Sequence, residues 1–214
     1  GFPRFDRLYH SEKRWITIMP TWRRYLADGL DSGKGMWILG EKFLNSDYYQ
    51  FYCGLLSHPK LLGAARELGY EIRFMPHPNI QPHLELFHLP EEVKIYGIDT
   101  SYRDIYAQSS LALTDYSSAA FDFSYLRKPL IYCQFDKDEF FKGEHVCTQG
   151  YFDYERDGFG EIEYDLESTI DRIIEYMETG CQLKDVYRER IDNFFAFNDQ
   201  DNCKRVYEAI RGLE

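Results

Sequence analysis

The chain has 214 residues and a net charge of −11 at pH 7, from 25 Lys and Arg against 36 Asp and Glu. That balance argues against a general nucleic-acid binder, which needs excess cations to displace counterions from phosphates. The length suffices for one good core, and the longest apolar stretches fall far short of the roughly 20 residues a helix needs to span a bilayer.

Aromatic residues make up 17% of the sequence, enough to fill a core and also to suit a surface that docks on another domain. The five cysteines are widely spaced with no C-x-x-C pair. A disulfide framework or zinc site is therefore not expected, and a reducing cytosol is the natural setting. The chain opens on Gly1 and runs at once into structured-looking sequence, so a fragment of a longer protein is expected.

In chain order, Trp15–Met19 reads as a strand closed by Pro20, and residues 22–35, rich in Gly and Ser, as a loop. Helical spacing of apolar residues begins near Ser46 and continues to Leu68, with His58-Pro59 separating two helices and Gly69 ending the second. A strand at Tyr70–Met75 stops at Pro76-His77-Pro78, a short helix covers Pro82–Phe87, and Val93–Tyr96 is a third strand. Ser101 is placed to cap a helix through Ala107, with Asp104 completing a capping box in outline. Leu111–Thr114 is a short apolar strand, followed by a helix from Ser117 to about Arg127 and a buried strand at Pro129–Phe135. Glu161–Tyr164 reads as a last strand, and amphipathic helices near 166–179, 184–197 and 202–212 are expected to pack back on the sheet. Strands alternating with helices imply a Rossmann-like parallel sheet with helices on both faces, ending in extra helices.

In such a sheet, ligands bind beyond the carboxyl ends of the strands, near the point where strand order reverses. Polar residues converge there: Thr21 and Arg23 after the first strand, His77 and Asn79 after the second, and Thr114-Asp115-Tyr116-Ser117-Ser118 after the fourth. The last group places a helix start at a strand end, which suits an anion such as a diphosphate, although Asp115 or Ser117 could equally be an ordinary N-cap. Asp122, one turn past Ser118, could hold ribose hydroxyls or be an exposed acid. His77, restrained by two prolines, could donate to a phosphate or serve as acid or base, or could only cap its strand. Arg23 offers a planar fork for phosphate, or is simply solvated. No dinucleotide or Walker fingerprint and no G-x-S-x-G elbow is present. No ligand cluster marks a metal site, although a divalent cation often assists diphosphate chemistry.

The motifs G-F-P-R-F-D at 1–6, P-T-W-R at 20–23, M-P-H-P-N at 75–79 and T-D-Y-S-S-A-A-F-D-F-S-Y-L-R-K-P-L-I-Y at 114–132 resemble the CDP-glycerol glycerophosphotransferase family, the teichoic-acid polymerase-like enzymes. The resemblance runs in order over nearly the whole chain. It implies that residues 1–214 form one donor-nucleotide-binding domain, the C-terminal half of a two-domain GT-B transferase. It implies a site with His77 as its catalytic residue, together with Ser117, Ser118 and Asp122, and less directly Thr21 and Arg23. The implied reaction moves glycerol phosphate from CDP-glycerol to an acceptor hydroxyl, with the acceptor polymer or lipid-linked glycan held by the other half at the inner face of the membrane. A second histidine that the family places in the N-terminal half has no clear match, and His10 is not assigned the role. Y-F-D-Y-E-R-D-G-F-G at 151–160 looks closer to a capsule-associated subgroup, which leaves ribitol phosphate or another CDP-linked unit open as the transferred group. A GT-B glycosyltransferase using a nucleotide sugar, and a non-catalytic nucleotide-binding or docking module, are the competing readings.

Overall fold

The computed structural model describes residues 13–97, 99–142 and 150–213. The G-F-P-R-F-D motif at 1–6, His10 and one of the five cysteines, Cys147, lie outside the described residues.

Six short strands form one parallel sheet: β1 (Trp15–Ile18), β4 (Glu71–Phe74), β5 (Lys94–Ile95), β6 (Ser109–Thr114), β7 (Leu130–Cys133) and β8 (Glu161–Glu163). Their spatial order is β5-β4-β1-β6-β7-β8. The chain grows outward from β1 through β4 to β5, returns to the far side of β1 as β6, and then grows the other way. This is the doubly wound order, with its reversal between β1 and β6.

The central strands are apolar on both faces because each face is covered. Ile16, Ile18, Leu111, Leu113, Ile131 and Cys133 alternate onto one side, where α2 (Asp47–Ser57), α3 (Pro59–Leu68) and α8 (Leu166–Glu178) bury Tyr52, Leu61, Ile170 and Ile173 against them. Trp15, Ala112, Leu130 and Tyr132 face the other side, under Ile105, Phe123 and Ile191 from α4 (Tyr102–Gln108), α5 (Ala119–Tyr125) and α9 (Asp185–Phe194). Each such fully buried side chain contributes roughly 1.5–3 kcal/mol, so these strand centres dominate the sheet's stability. Gly69 ends α3 at φ +73°, a conformation only glycine adopts without strain. At Gly160 the requirement is space: a Cβ there would meet the Leu130 carbonyl oxygen at 1.8 Å, so glycine lets the chain press on β7 before β8 begins.

Several expectations change. Residues 22–35 do not form one loop. A 3-10 turn at Arg24–Leu26 leads into an antiparallel hairpin of β2 (Gly29–Asp31) and β3 (Met36–Ile38). Its tight turn is held by Asp31, whose carboxylate accepts from the amides of Gly33 and Lys34, a local bond that a Gly/Ser-rich composition conceals. The Pro82–Phe87 helix is a 3-10 helix over Gln81–Phe87, and short helices α1 (Glu41–Leu44), α6 (Lys137–Phe140) and α7 (Tyr154–Asp157) are additions. Ser101 occupies the N-cap of α4 without a side-chain capping bond, so the capping box does not close. The last helix, α10 (Asn202–Arg211), does not cover the sheet: none of its residues is buried, and Val206, Tyr207 and Ile210 are exposed.

One cation belongs wholly to the fold. Lys128 is buried, and its ammonium donates to the carbonyls of Tyr106, Ala107 and Ser109 at 3.0, 2.8 and 2.7 Å, tying the end of α4 to the start of β6. An ammonium has three donors and here finds three acceptors. Lys128→Met should remove all three bonds and lower stability by on the order of 3 kcal/mol, read by chemical denaturation, because unsatisfied buried carbonyls cost more than the lost bonds alone.

Candidate functional site

Strand order reverses between β1 and β6, the place where sheets of this kind form a ligand crevice beyond the carboxyl ends of their strands, and β4 lies beside β1. Three loops border that place: 19–23 after β1, 75–79 after β4 and 115–118 after β6.

Beneath the crevice lies an ion cluster. Arg23 has no exposed surface. Its Nε and one terminal nitrogen donate to the two Asp136 oxygens at 2.8 and 3.1 Å, and the same terminal nitrogen lies 2.9 Å from Asp115 Oδ2. The other terminal nitrogen donates to the Thr21 carbonyl at 2.9 Å. The rings of Phe140, Tyr116 and Tyr48 stand 4.7, 5.1 and 5.2 Å from the guanidinium carbon and add cation–π attraction. Burial opposes the charge on Arg23, but Asp115 and then Asp136 override it and hold its pKa above the ordinary arginine value. The phosphate-fork expectation for Arg23 is therefore corrected: its fork is committed to two carboxylates, out of reach of a ligand in the crevice.

Asp115 is likewise an inward group. Its carboxylate accepts the Thr21 amide at 3.0 Å, the Thr21 hydroxyl, the Tyr116 amide at 2.7 Å and the Tyr52 hydroxyl at 3.2 Å. Thr114 is buried and its hydroxyl donates to the Met19 carbonyl at 2.8 Å, fastening β6 to the end of β1. The side chains of Thr21, Thr114 and Asp115 thus build the floor of the crevice. Neither Asp115 nor Ser117 caps a long helix as expected. Ser118 holds the N-cap position of α5 without a side-chain bond, and Ser117 Oγ accepts the Ala119 amide at 3.1 Å. The Ala120 and Phe121 amides turn back to the carbonyls of Ser117 and Ser118, so those donors are not open to an anion. The accessible polar groups of this loop are the half-buried Ser117 and the exposed Ser118, with Asp122 half-buried in the first turn of α5.

Across β1, His77 and Asn79 are both half-buried after β4. The Asn79 amide donates to His77 Nδ1 at 3.2 Å, so the neutral ring carries its proton on Nε2 and presents a donor there. The imidazole stacks on buried Trp22, centroids 6.3 Å apart and 20° between planes. Trp22 in turn contacts Trp37 of the hairpin at 6.2 Å, and the carbonyl of Trp37 lies 2.7 Å from His83 Nε2. Burial lowers the His77 pKa below 6.5, opposed in part by Asp115.

Two residues of this framework, Asp136 and Tyr52, escape a motif-based reading, and Trp22 enters it only as part of P-T-W-R, with no role given to its ring. Asp136 had a signal, since it follows the buried run of β7 just beyond a strand's carboxyl end. Tyr52 and Trp22 look like any core aromatic until the loops are brought together.

This arrangement can be set beside known proteins. Residues 1–212 match the family described as CDP-Glycerol:Poly(glycerophosphate) glycerophosphotransferase. The chain belongs to this family. It is 38% identical over its whole length to 23% of the minor teichoic acid biosynthesis protein GgaB of Bacillus subtilis (strain 168). Over 98% of its length it is 24% identical to 53% of a teichoic acid glycerol-phosphate transferase from Staphylococcus aureus (strain NCTC 8325 / PS 47). The chain therefore spans between about a quarter and a half of these relatives. Its fold is that of the wall teichoic acid polymerase TagF over 99% of this chain and 46% of that one, at a TM-score of 0.60 and 21% identity.

Two outcomes follow from this geometry. Arg23→Met should cost about 3–5 kcal/mol, because it strands two buried carboxylates, and urea unfolding should report it even without ligand. A histidine whose folded pKa is lowered stabilises the fold above its unfolded pKa, near 6.5, and loses that contribution as pH falls through the folded value. NMR should therefore place the His77 midpoint below 6.5, and the stability of His77→Gln should lose the corresponding acid-limb dependence.

Proposed function

We propose that this chain supplies the donor-nucleotide site of an enzyme that transfers glycerol phosphate, or a related polyol phosphate, from CDP-glycerol to an acceptor hydroxyl. The observation that carries the reading is His77: a neutral imidazole with its donor on Nε2, in the loop after β4, which pairs with β1, while β6 on the other side of β1 leads to Ser117 and Ser118. Family membership and a TagF structure soaked with CDPG support the choice of donor.

In the proposed reaction the acceptor oxygen attacks the phosphorus that bears glycerol. A new P–O bond forms, the bond to the CMP oxygen breaks, and the acceptor proton passes to a base outside this chain. His77 Nε2–H donates to a diphosphate oxygen and stabilises charge on the departing CMP, a role its tautomer suits better than that of base. Ser117 and Ser118 orient the diphosphate, Asn79 holds the imidazole through its amide, and Asp122 is assigned to the ribose hydroxyls. Thr21, Arg23, Thr114 and Asp115 act by positioning these groups.

Residues 1–214 are proposed as one domain, the C-terminal half of a GT-B enzyme whose other half binds the acceptor polymer or lipid-linked glycan at the inner membrane face. Among the described residues no helix is long and apolar enough to cross a membrane.

Thermal denaturation with cytidine nucleotides tests the reading. CDP-glycerol at about 100 times its Kd should stabilise the chain by roughly 2.7 kcal/mol. His77→Ala and the double variant Ser117→Ala/Ser118→Ala should abolish most of that shift while melting normally without ligand. No shift at millimolar CDP-glycerol or CMP, or a larger shift with a UDP-sugar, would overturn it.

A further inference from the structure

Beyond the crevice, the segment before β8 and helix α9 enclose a cavity of ≈ 390 Å³. Its walls include Tyr151, Phe152 and Phe194 as aromatic faces and Arg156, Arg190 and Asn193 as polar groups. Tyr151 is 87% exposed, an unusual place for a large aromatic ring.

In a chain of net charge −11 this cavity gathers two guanidinium groups against one carboxylate, Asp157. That carboxylate is already used. Arg156 grips it with Nε at 2.7 Å and a terminal nitrogen at 2.6 Å, and the Asp153 amide adds a bond at 2.9 Å. Arg156 first, then that amide, pulls the Asp157 pKa down to about 2. Arg190 differs. It is half-buried, donates one bond to the Gly158 carbonyl at 2.8 Å, and stands 5.6 Å from the Tyr187 ring. Its charge also helps to keep Asp157 ionised, but among the described residues no carboxylate lies within 4.0 Å of it, and the nearest bonds of Asp157 go to Arg156. A partly desolvated guanidinium with unused donors is matched by an oxyanion, and its planar fork suits phosphate. Flanking aromatic faces suit the C–H surface of a polyol or sugar.

Two of the cavity's rings also pack on α5. Phe152 and Phe194 pack on Phe121 at 5.1 and 5.4 Å, and Phe121 lies in the first turn of α5, three residues past Ser118. We propose that this cavity binds an inner phosphodiester unit of the acceptor chain, behind the terminal hydroxyl that the other half holds, with Arg190 on the phosphate and Tyr151 against the polyol. The proposal rests on the donor-site reading above, since it takes the acceptor to be a polyol-phosphate chain.

The test is calorimetric binding to the chain of a synthetic glycerol-phosphate hexamer, inorganic phosphate, glycerol, and vesicles containing phosphatidylglycerol. The hexamer should bind saturably and more tightly than inorganic phosphate, and glycerol should not bind. Arg190→Ala should weaken the hexamer roughly tenfold, Arg190→Lys less, and Tyr151→Ala about threefold, all with unchanged CDP-glycerol shifts. Should Arg190→Ala fail to fold, Arg190→Lys and Tyr151→Ala carry the test. Equal hexamer affinity in these variants overturns the proposal, as does inorganic phosphate binding as tightly as the hexamer. Arg190-dependent binding to vesicles in preference to the hexamer would assign the cavity to a lipid headgroup and overturn it too. Failure of CDP-glycerol to bind wild type would count against the donor site, whereas intact donor binding with an indifferent Arg190 condemns this cavity alone.

Discussion

A guanidinium without solvent contact sets the geometry of this domain's working end. Arg23 joins the loop after β1 to the loop after β6 through Asp115 and to the loop after β7 through Asp136. Removing these charges from water costs several kcal/mol per ion, and their attraction largely offsets that cost without a sure surplus. What the cluster contributes is specificity of arrangement. Three loops that could each wander over a sheet edge share one set of donors and acceptors, and the Tyr116 hydroxyl reinforces it by donating to Asp136 at 3.2 Å. Burial, with Asp136 next, pushes the Tyr116 pKa up, so that hydroxyl stays a donor throughout the physiological range.

A second frame, built from aromatic rings, holds the opposite side. The hairpin of β2 and β3 carries Trp37 to Trp22, and Trp22 lies against His77. The prolines on either side of His77 limit its backbone, the Asn79 amide selects its tautomer, and the indole limits its tilt. Trp22 and Arg23 are consecutive, so one stretch after β1 serves both frames, the ring turned to His77 and the guanidinium to the carboxylates. A shift of this loop would disturb both sides of the crevice together.

The parallel sheet was legible because its strands are short apolar runs at regular intervals, and both faces are covered as those runs imply. The hairpin was not, because its turn depends on Asp31 bonding its own neighbours, which looks like loop composition until the chain is folded. α10 was misjudged for a related reason: Val206, Tyr207 and Ile210 make an apolar stripe, and periodicity says that a stripe exists without saying what covers it. Near the strand ends, proximity identified the loops that the fold brings together, 19–23, 75–79 and 115–118. It could not separate side chains that face the ligand from those that face inward, since Thr, Asp and Arg have donors and acceptors for either purpose. Arg23 and Asp115 went inward because each satisfied the other, a pairing between positions 92 apart that no local pattern records.

That partition changes how an anion would be held. The cluster contains one cation and two carboxylates, Arg23 with Asp115 and Asp136, a net of −1 directly under the crevice floor. On the proposed donor-site reading such a floor repels a diphosphate, and attraction comes from neutral donors above it, the His77 Nε2–H and the Ser117 and Ser118 hydroxyls. The same negative floor counters the effect of burial on His77, since Asp115 raises a pKa that desolvation lowers. Desolvation outweighs Asp115, so the neutral imidazole is favoured. In the proposed reaction a neutral Nε2–H donor strengthens as negative charge develops on the leaving phosphate, and a permanently charged arginine at the same position would bind substrate and product alike.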